Sequence, residues 1–212
     1  MPHTGLAVIE SRWWSEGNDS VRPLFETLAG IVENNPHFVR YDMFCEEQSL
    51  SRIIKNLTSS EIIHSVYVGA HGDESSICGL GDAVISRTKL RNMFINSNKS
   101  KAISGLYFGS CQVANQSNAD FWLNEKKTGL KWIAGYTKSV DWIDSSAVDM
   151  IFWSKYLHER KSNRSRKRNK KSDTEMVRST SSEMKELMPT VFNQMGFNVY
   201  YLDHSKHVST VW

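Results

Sequence analysis

Cysteine is scarce in this 212-residue chain, with three in all, at Cys45, Cys78 and Cys111. They are widely spaced, odd in number and form no CxxC pair. That argues against a cysteine-built zinc site and against a secreted disulfide framework. An odd count also leaves at least one free thiol. Long apolar runs are missing too, since nothing approaches the roughly 18 consecutive apolar residues of a membrane helix. The opening residues, MPHTG, have neither the basic region nor the apolar stretch of a secretory signal, so a cytoplasmic location is expected. No internal repeat is present and no DxDxDG-type calcium loop occurs. No metal or cofactor is expected.

What remains is an ordinary globular composition, 40% hydrophobic and 23% charged, over a length suited to one domain spanning residues 1–212. The net charge of +3 is unevenly placed. Residues 160–171, RKSNRSRKRNKK, carry eight positive charges and no negative ones, so the rest of the chain is net acidic. This stretch has no apolar anchor and is expected to be a solvated, flexible loop over 160–172. No aromatic residue interleaves its charges, unlike most nucleic-acid sites, which makes nucleic acid a poor partner. A weak electrostatic patch for an acidic polymer is the alternative, and an Arg/Lys-rich loop would also suit self-cleavage.

Hydrophobic periodicity supplies the elements. Apolar runs at 6–10, 62–70, 102–108, 130–135 and 198–202, with an alternating segment at 37–44, predict strands. Helical spacing predicts helices over 20–33, 49–57, 88–94, 115–123, 145–157 and 174–188. The Gly-rich stretch 73–86 reads as a loop with a small hairpin. Strands alternating with helices imply an α/β fold: a mostly parallel sheet of about six strands with helices on both faces, a three-layer sandwich.

Functional residues of open parallel sheets gather past the carboxyl ends of the strands. Two strong strands end in small-residue turns with a reactive side chain: VYVGA runs into His71-Gly72, and LYFGS runs into Cys111. If these strands are neighbours, an imidazole meets a thiol, which is what activates a sulfur nucleophile. A helix following Cys111 would add its N-terminal dipole. The Gly72 and Cys111 amides could form an oxyanion hole. Asp73 and Glu74 could orient His71 or simply be solvated. Trp13 and Trp14 either border the cleft or pack ordinarily. Cys45, Cys78 and His64 are expected to be structural, and His3, His37, His158, His204 and His207 to lie on the surface. A serine-hydrolase elbow is disfavoured, because GSCQV (109–113) lacks the second glycine of GxSxG.

An apolar strand ending in His-Gly, followed by a second ending in small residue-Cys, resembles the caspase-like (clan CD) cysteine peptidases. That group includes caspases, metacaspases, separases, gingipains and CHAT-domain proteins. Residues 79–86, GLGDAVIS, resemble the element after His-Gly in bacterial CHAT-like members, and 135–147, GYTKSVDWIDSSA, resembles their cleft-forming segment. The resemblance spans roughly residues 6–202 and implies a caspase-like domain with His71 as base and Cys111 as nucleophile. It further implies a cytoplasmic endopeptidase acting on a protein partner, such as a gasdermin-like pore former encoded beside it in an anti-phage or cell-death operon. The Gln-Ala-Cys-x-Gly of true caspases is absent, so Asp need not be the preferred P1 residue. Asp141 is a candidate acidic floor for a Lys or Arg, and Val140 and Trp142 in the same loop suit an uncharged one. A non-catalytic scaffold is the competing reading.

Overall fold

The computed structural model describes residues 5–212 apart from Ser15 and Glu61; His3 therefore lies outside the described residues. The chain forms β1 (Leu6–Ser11), α1 (Arg22–Glu33), β2 (Val39–Phe44), α2 (Glu47–Thr58) and β3 (Ser65–Gly69). A hairpin of β4 (Ser76–Cys78) and β5 (Val84–Ser86) comes next, then α3 (Arg87–Ser97), β6 (Gly105–Gly109), α4 (Gln116–Leu123) and β7 (Trp132–Tyr136). Then follow α5 (Trp142–Ser165), α6 (Asp173–Leu187), α7 (Val191–Met195), β8 (Phe197–Leu202) and β9 (Val208–Thr210).

The architecture is α/β, with a seven-stranded sheet in the order β2-β1-β3-β6-β7-β8-β9. β2, β1, β3, β6 and β7 run parallel, whereas β8 and β9 add antiparallel. Side chains of each strand alternate between two apolar clusters. Val66, Val68, Leu106, Phe108 and Ile133 join Leu50, Ile54, Phe94 and Trp122 of α2, α3 and α4. Tyr67, Tyr107, Trp132, Ala134 and Tyr136 join Phe25, Phe152, Trp153 and Val177 of α1, α5 and α6. The period of two thus places helices on both faces.

Several boundaries moved for identifiable reasons. The sheet has one strand more than expected because β9, a short polar segment, pairs with β8 through main-chain bonds rather than an apolar pattern. α5 begins at Trp142 rather than 145, because the Asp141 carboxylate accepts from the N–H groups of Ile143 (2.8 Å) and Asp144 (3.3 Å) as an N-cap.

α5 also continues to Ser165, so residues 160–165 of the expected basic loop are helix. Arginine and lysine propagate a helix well, and their heads find partners here. Arg160 pairs with Asp173 (2.8 Å), Arg164 with Glu33, and Lys161 donates to the Val32 carbonyl (2.6 Å). Lys171 pairs with Glu159 (2.8 Å), and the Asn163 amide bridges to both backbone groups of Lys171. Ser172 and Glu175 then form a capping box that starts α6. The connection is thereby shortened to 166–171 and tied at its end. Among the described residues no helix is long and apolar enough to cross a membrane.

Candidate active site

β3 and β6 are hydrogen-bonded neighbours, parallel, and in register up to the pair Gly69–Gly109. Two residues beyond that pair stand His71 on one strand and Cys111 on the other, and both line the same cavity. The cavity's remaining walls come from Trp13, Val21, Tyr67, Gly69, Ala70, Gly109, Val140, Trp142, Ser145 and Ser146. Sequence reasoning reached His71, Cys111, Val140, Trp142 and, as one of two readings, Trp13. It missed Val21, Tyr67, Ser145 and Ser146, whose signal in the sequence is that of ordinary core or helix residues.

The two turns are packed directly on each other. A Cβ added at Gly72 would stand 2.7 Å from Val113 Cγ2, 3.1 Å from Ser110 Cβ and 3.2 Å from the Cys111 carbonyl oxygen. Only glycine allows the His-Gly turn to approach the Ser-Cys turn this closely. At Gly109 the same atom would fall 1.9 Å from the Tyr67 hydroxyl, so the missing side chain makes room for a phenol at the cavity floor.

The Cys111 turn is held from the opposite side by the segment after β7. The Val140 N–H donates to Cys111 Sγ at 3.4 Å, and the Cys111 thiol donates to the Val140 carbonyl at 3.8 Å. Gln112 has a left-handed backbone with φ of 63°, costly for a residue with a Cβ. Its N–H is fixed on the Lys138 carbonyl at 3.2 Å, and the Ala114 N–H on that of Tyr136 at 3.1 Å. Strain next to a candidate nucleophile is thus held by neighbouring main chain. The dipole expected from the following helix is not part of this arrangement. α4 begins only at Gln116, capped by Asn115, and a helix dipole acts within about one turn of its end.

His71 is exposed, and the Trp13 ring meets it edge-on with centroids 5.8 Å apart. Trp13 in turn contacts Trp142 at 5.9 Å. The His71 carbonyl accepts from the Cys78 N–H at 2.9 Å, which joins this turn to the β4–β5 hairpin. Asp73 does not serve His71: its carboxylate accepts from the Ser75 N–H (2.7 Å), the Ser75 hydroxyl (3.0 Å) and the Ser76 hydroxyl (2.8 Å). These bonds, led by that of the Ser75 backbone, hold Asp73 below the usual carboxylate range. Among the described residues, no carbonyl or side chain accepts from the Gly72 or Cys111 N–H. Both proposed oxyanion donors are therefore unspent.

Asp141 does not line the cavity, because its carboxylate is used as the α5 cap; its neighbours Val140 and Trp142 do. Cys45 is exposed rather than packed, and Cys78 is half-buried, its thiol pushed up by that burial. His64 precedes β3 and hydrogen-bonds Ser65 through Nδ1 at 2.8 Å, away from the cavity. His37, His158, His204 and His207 are exposed. Among the described residues, no group of three or more His, Cys, Asp or Glu side chains could hold a metal ion. No protein-family model matches the chain, and no curated protein matches it in sequence.

Proposed function

We propose that the chain is a cysteine endopeptidase of caspase-like type, with His71 and Cys111 as its catalytic dyad. The observation that carries this reading is the delivery of an imidazole and a thiol, by two adjacent parallel strands, to one solvent-open cavity. The unspent amides beside them supply what acyl transfer further requires.

In the proposed mechanism the Cys111 thiol loses its proton to His71, and the sulfur attacks the scissile carbonyl carbon. The C–O π pair moves onto oxygen, which the Gly72 and Cys111 N–H groups receive. Collapse of the tetrahedral species breaks the C–N bond as imidazolium returns its proton to the leaving amine. A thioester remains on Cys111. Water, deprotonated by His71, then attacks the thioester, releasing a carboxylic acid and restoring the thiol. The edge of Trp13 limits rotation of the imidazole, a task that an aspartate performs in Ser-His-Asp triads.

The resemblance noted above extends the proposal to a protein partner as substrate and to a bacterial effector setting, with a gasdermin-like pore former as one such partner. The acidic-polymer reading is weakened by the ion pairs that engage Arg160, Arg164 and Lys171 locally.

The test compares the wild type with Cys111→Ala and His71→Ala on a fluorogenic peptide library, alongside labelling by a thiol-reactive peptidyl probe. Cleavage and Cys111 labelling in the wild type, with turnover lowered by at least about a thousandfold in both variants, are expected. Absence of both cleavage and labelling in the wild type would refute the peptidase reading.

A further inference from the structure

Past the pair Gly69–Gly109 the sheet ladder between β3 and β6 ends. Among the described residues, no main-chain hydrogen bond links the turn at 71–76 to the turn at 110–115. A side chain does so instead. Asn118, on α4, is only 1% exposed. Its amide nitrogen donates to the Glu74 carbonyl at 2.9 Å, in the His71 turn, and to the Val113 carbonyl at 2.7 Å, in the Cys111 turn. Its Oδ1 accepts from Arg87 Nη1 at 2.6 Å. Two carbonyls require the NH2 end and a guanidinium requires the oxygen, so the partners fix which way round the amide lies.

Each end of this bridge is itself held. The Arg87 N–H donates to the Ser75 carbonyl at 2.7 Å, and its guanidinium lies 4.8 Å from the centre of the Phe121 ring. The Asn118 N–H donates to Asn115 Oδ1 at 2.9 Å, and Asn115 Nδ2 donates to the Gln112 carbonyl at 3.0 Å. Gln112 is the residue with the left-handed backbone, so the bridge also reaches the strained point beside Cys111. Asn118 does not line the cavity. The van der Waals contacts at Gly72 bring the turns together, but directional hydrogen bonds are what fix their register. Leucine in place of Asn118 would match its size and leave two buried carbonyls unpaired.

We propose that Asn118 is a positioning residue that sets the His71 turn against the Cys111 turn, with Arg87 orienting its amide. Its catalytic consequence rests on the peptidase reading, whereas the coupling of the two turns rests on the bridge alone. Asn98 offers an internal comparison. It is fully buried and its amide donates to the Ile103 and Thr128 carbonyls at 2.7 and 2.8 Å. Those carbonyls precede β6 and β7, at the end of the sheet away from the cavity.

The experiment follows alkylation of Cys111 by iodoacetamide in the full chain at pH 7, read by peptide mass spectrometry, with the exposed Cys45 as reference. Alkylation is expected to slow about fivefold in Asn118→Leu and about tenfold in His71→Ala, and the double variant should match His71→Ala. A residue that acts by placing His71 has nothing left to place once the imidazole is gone. Asn98→Leu loses an equivalent bridge, and its Cys111 should react as in the wild type. On a cleaved peptide, Asn118→Leu should lower kcat about 30-fold with KM within about twofold. No slowing in Asn118→Leu, or equal slowing with and without His71, would overturn the proposal.

If Asn118→Leu does not fold, Arg87→Leu, which frees the amide to turn over, takes its place, with about a threefold slowing that vanishes in the His71→Ala background. Should the wild type cleave no peptide, the peptidase reading fails and the alkylation rates still decide the bridge. Should His71→Ala leave alkylation unchanged, the dyad fails, and hydrogen exchange decides. Faster exchange of both 71–76 and 110–115 in Asn118→Leu then supports the bridge, and faster exchange of one turn or neither overturns it.

Discussion

On one face of the sheet, Val66, Val68, Leu106, Phe108 and Ile133 are packed into an apolar cluster with α2, α3 and α4. On the other face, Tyr67, Tyr107 and Tyr136 converge through their hydroxyls on the buried Asp149. Both faces are buried, yet among the described residues it is the second that encloses carboxyl groups, and this face opens into the cavity of His71 and Cys111. The apolar face is built to hold the strands together. The tyrosine face bears a cost in desolvation, visible in Asp149, which burial pushes up to about 6 against the opposing pull of its three phenols. A protein tolerates such a cost where a charge is wanted. The two faces thus differ in composition, apolar on one side and bearing a tyrosine–carboxyl network beside the cavity on the other.

Four measurements would break or sharpen that division. The largest effect is expected on the apolar face, where Phe94→Ala removes a fully buried ring packed on Trp122. Urea denaturation should show a loss of about 3–5 kcal/mol, similar at all pH values because nothing titratable is touched. A loss under 1 kcal/mol would mean that this face is not the main source of stability.

On the tyrosine face the expected signature is a slope. Asp149 holds its proton to about pH 6 when folded but only to its ordinary value when unfolded. The folded state therefore binds more protons between roughly pH 4 and 6, and stability falls as pH rises through that window, by on the order of 3 kcal/mol. Above it the cost is constant. Asp149→Asn should erase the fall, and parallel curves for the two proteins would contradict the assignment.

Where the strands of both faces end, Gly72→Ala should act on catalysis more than on folding. The new Cβ must displace Val113 or the Cys111 turn. A drop of about 10- to 100-fold in kcat/KM is expected from a misplaced dyad and oxyanion donor. Unchanged peptide turnover in this variant would show that the two turns need not be so close.

The smallest effect belongs to the basic segment. Arg164→Ala breaks a pair with Glu33 in which the arginine is half exposed, and a thermal shift equivalent to at most about 1 kcal/mol is expected. A larger loss would give that segment a structural weight that neither face explains.

How much of this was legible beforehand differs from element to element. The strands ending at Gly69 and Gly109 were readable because unbroken apolar runs and small-residue turns are local signals. His71 and Cys111 stand out for the same reason: each sits just past the end of such a run. The reach of α5 into residues 160–165 was not, because Glu33 and Asp173, which receive its arginines, lie far along the chain or beyond the turn. Asp141 was misread as a binding residue because an acidic residue before a helix looks the same whether it caps the helix or faces a cleft. Glu10 was hidden inside an apolar strand, and its four donors come from residues 13, 20, 21 and 41.

The sequence by itself determined the alternation of strands and helices, the absence of a long apolar span, and the two reactive residues at strand ends. These follow from periodicity and turn chemistry, which act over a few residues. Only the tertiary structure decided that β3 and β6 are neighbours, that Gly72 lies against the Cys111 turn, and that Tyr67, Tyr107 and Tyr136 converge on Asp149. Those facts depend on strand order and on which side chains share a face, and such relations arise from packing between segments dozens of residues apart.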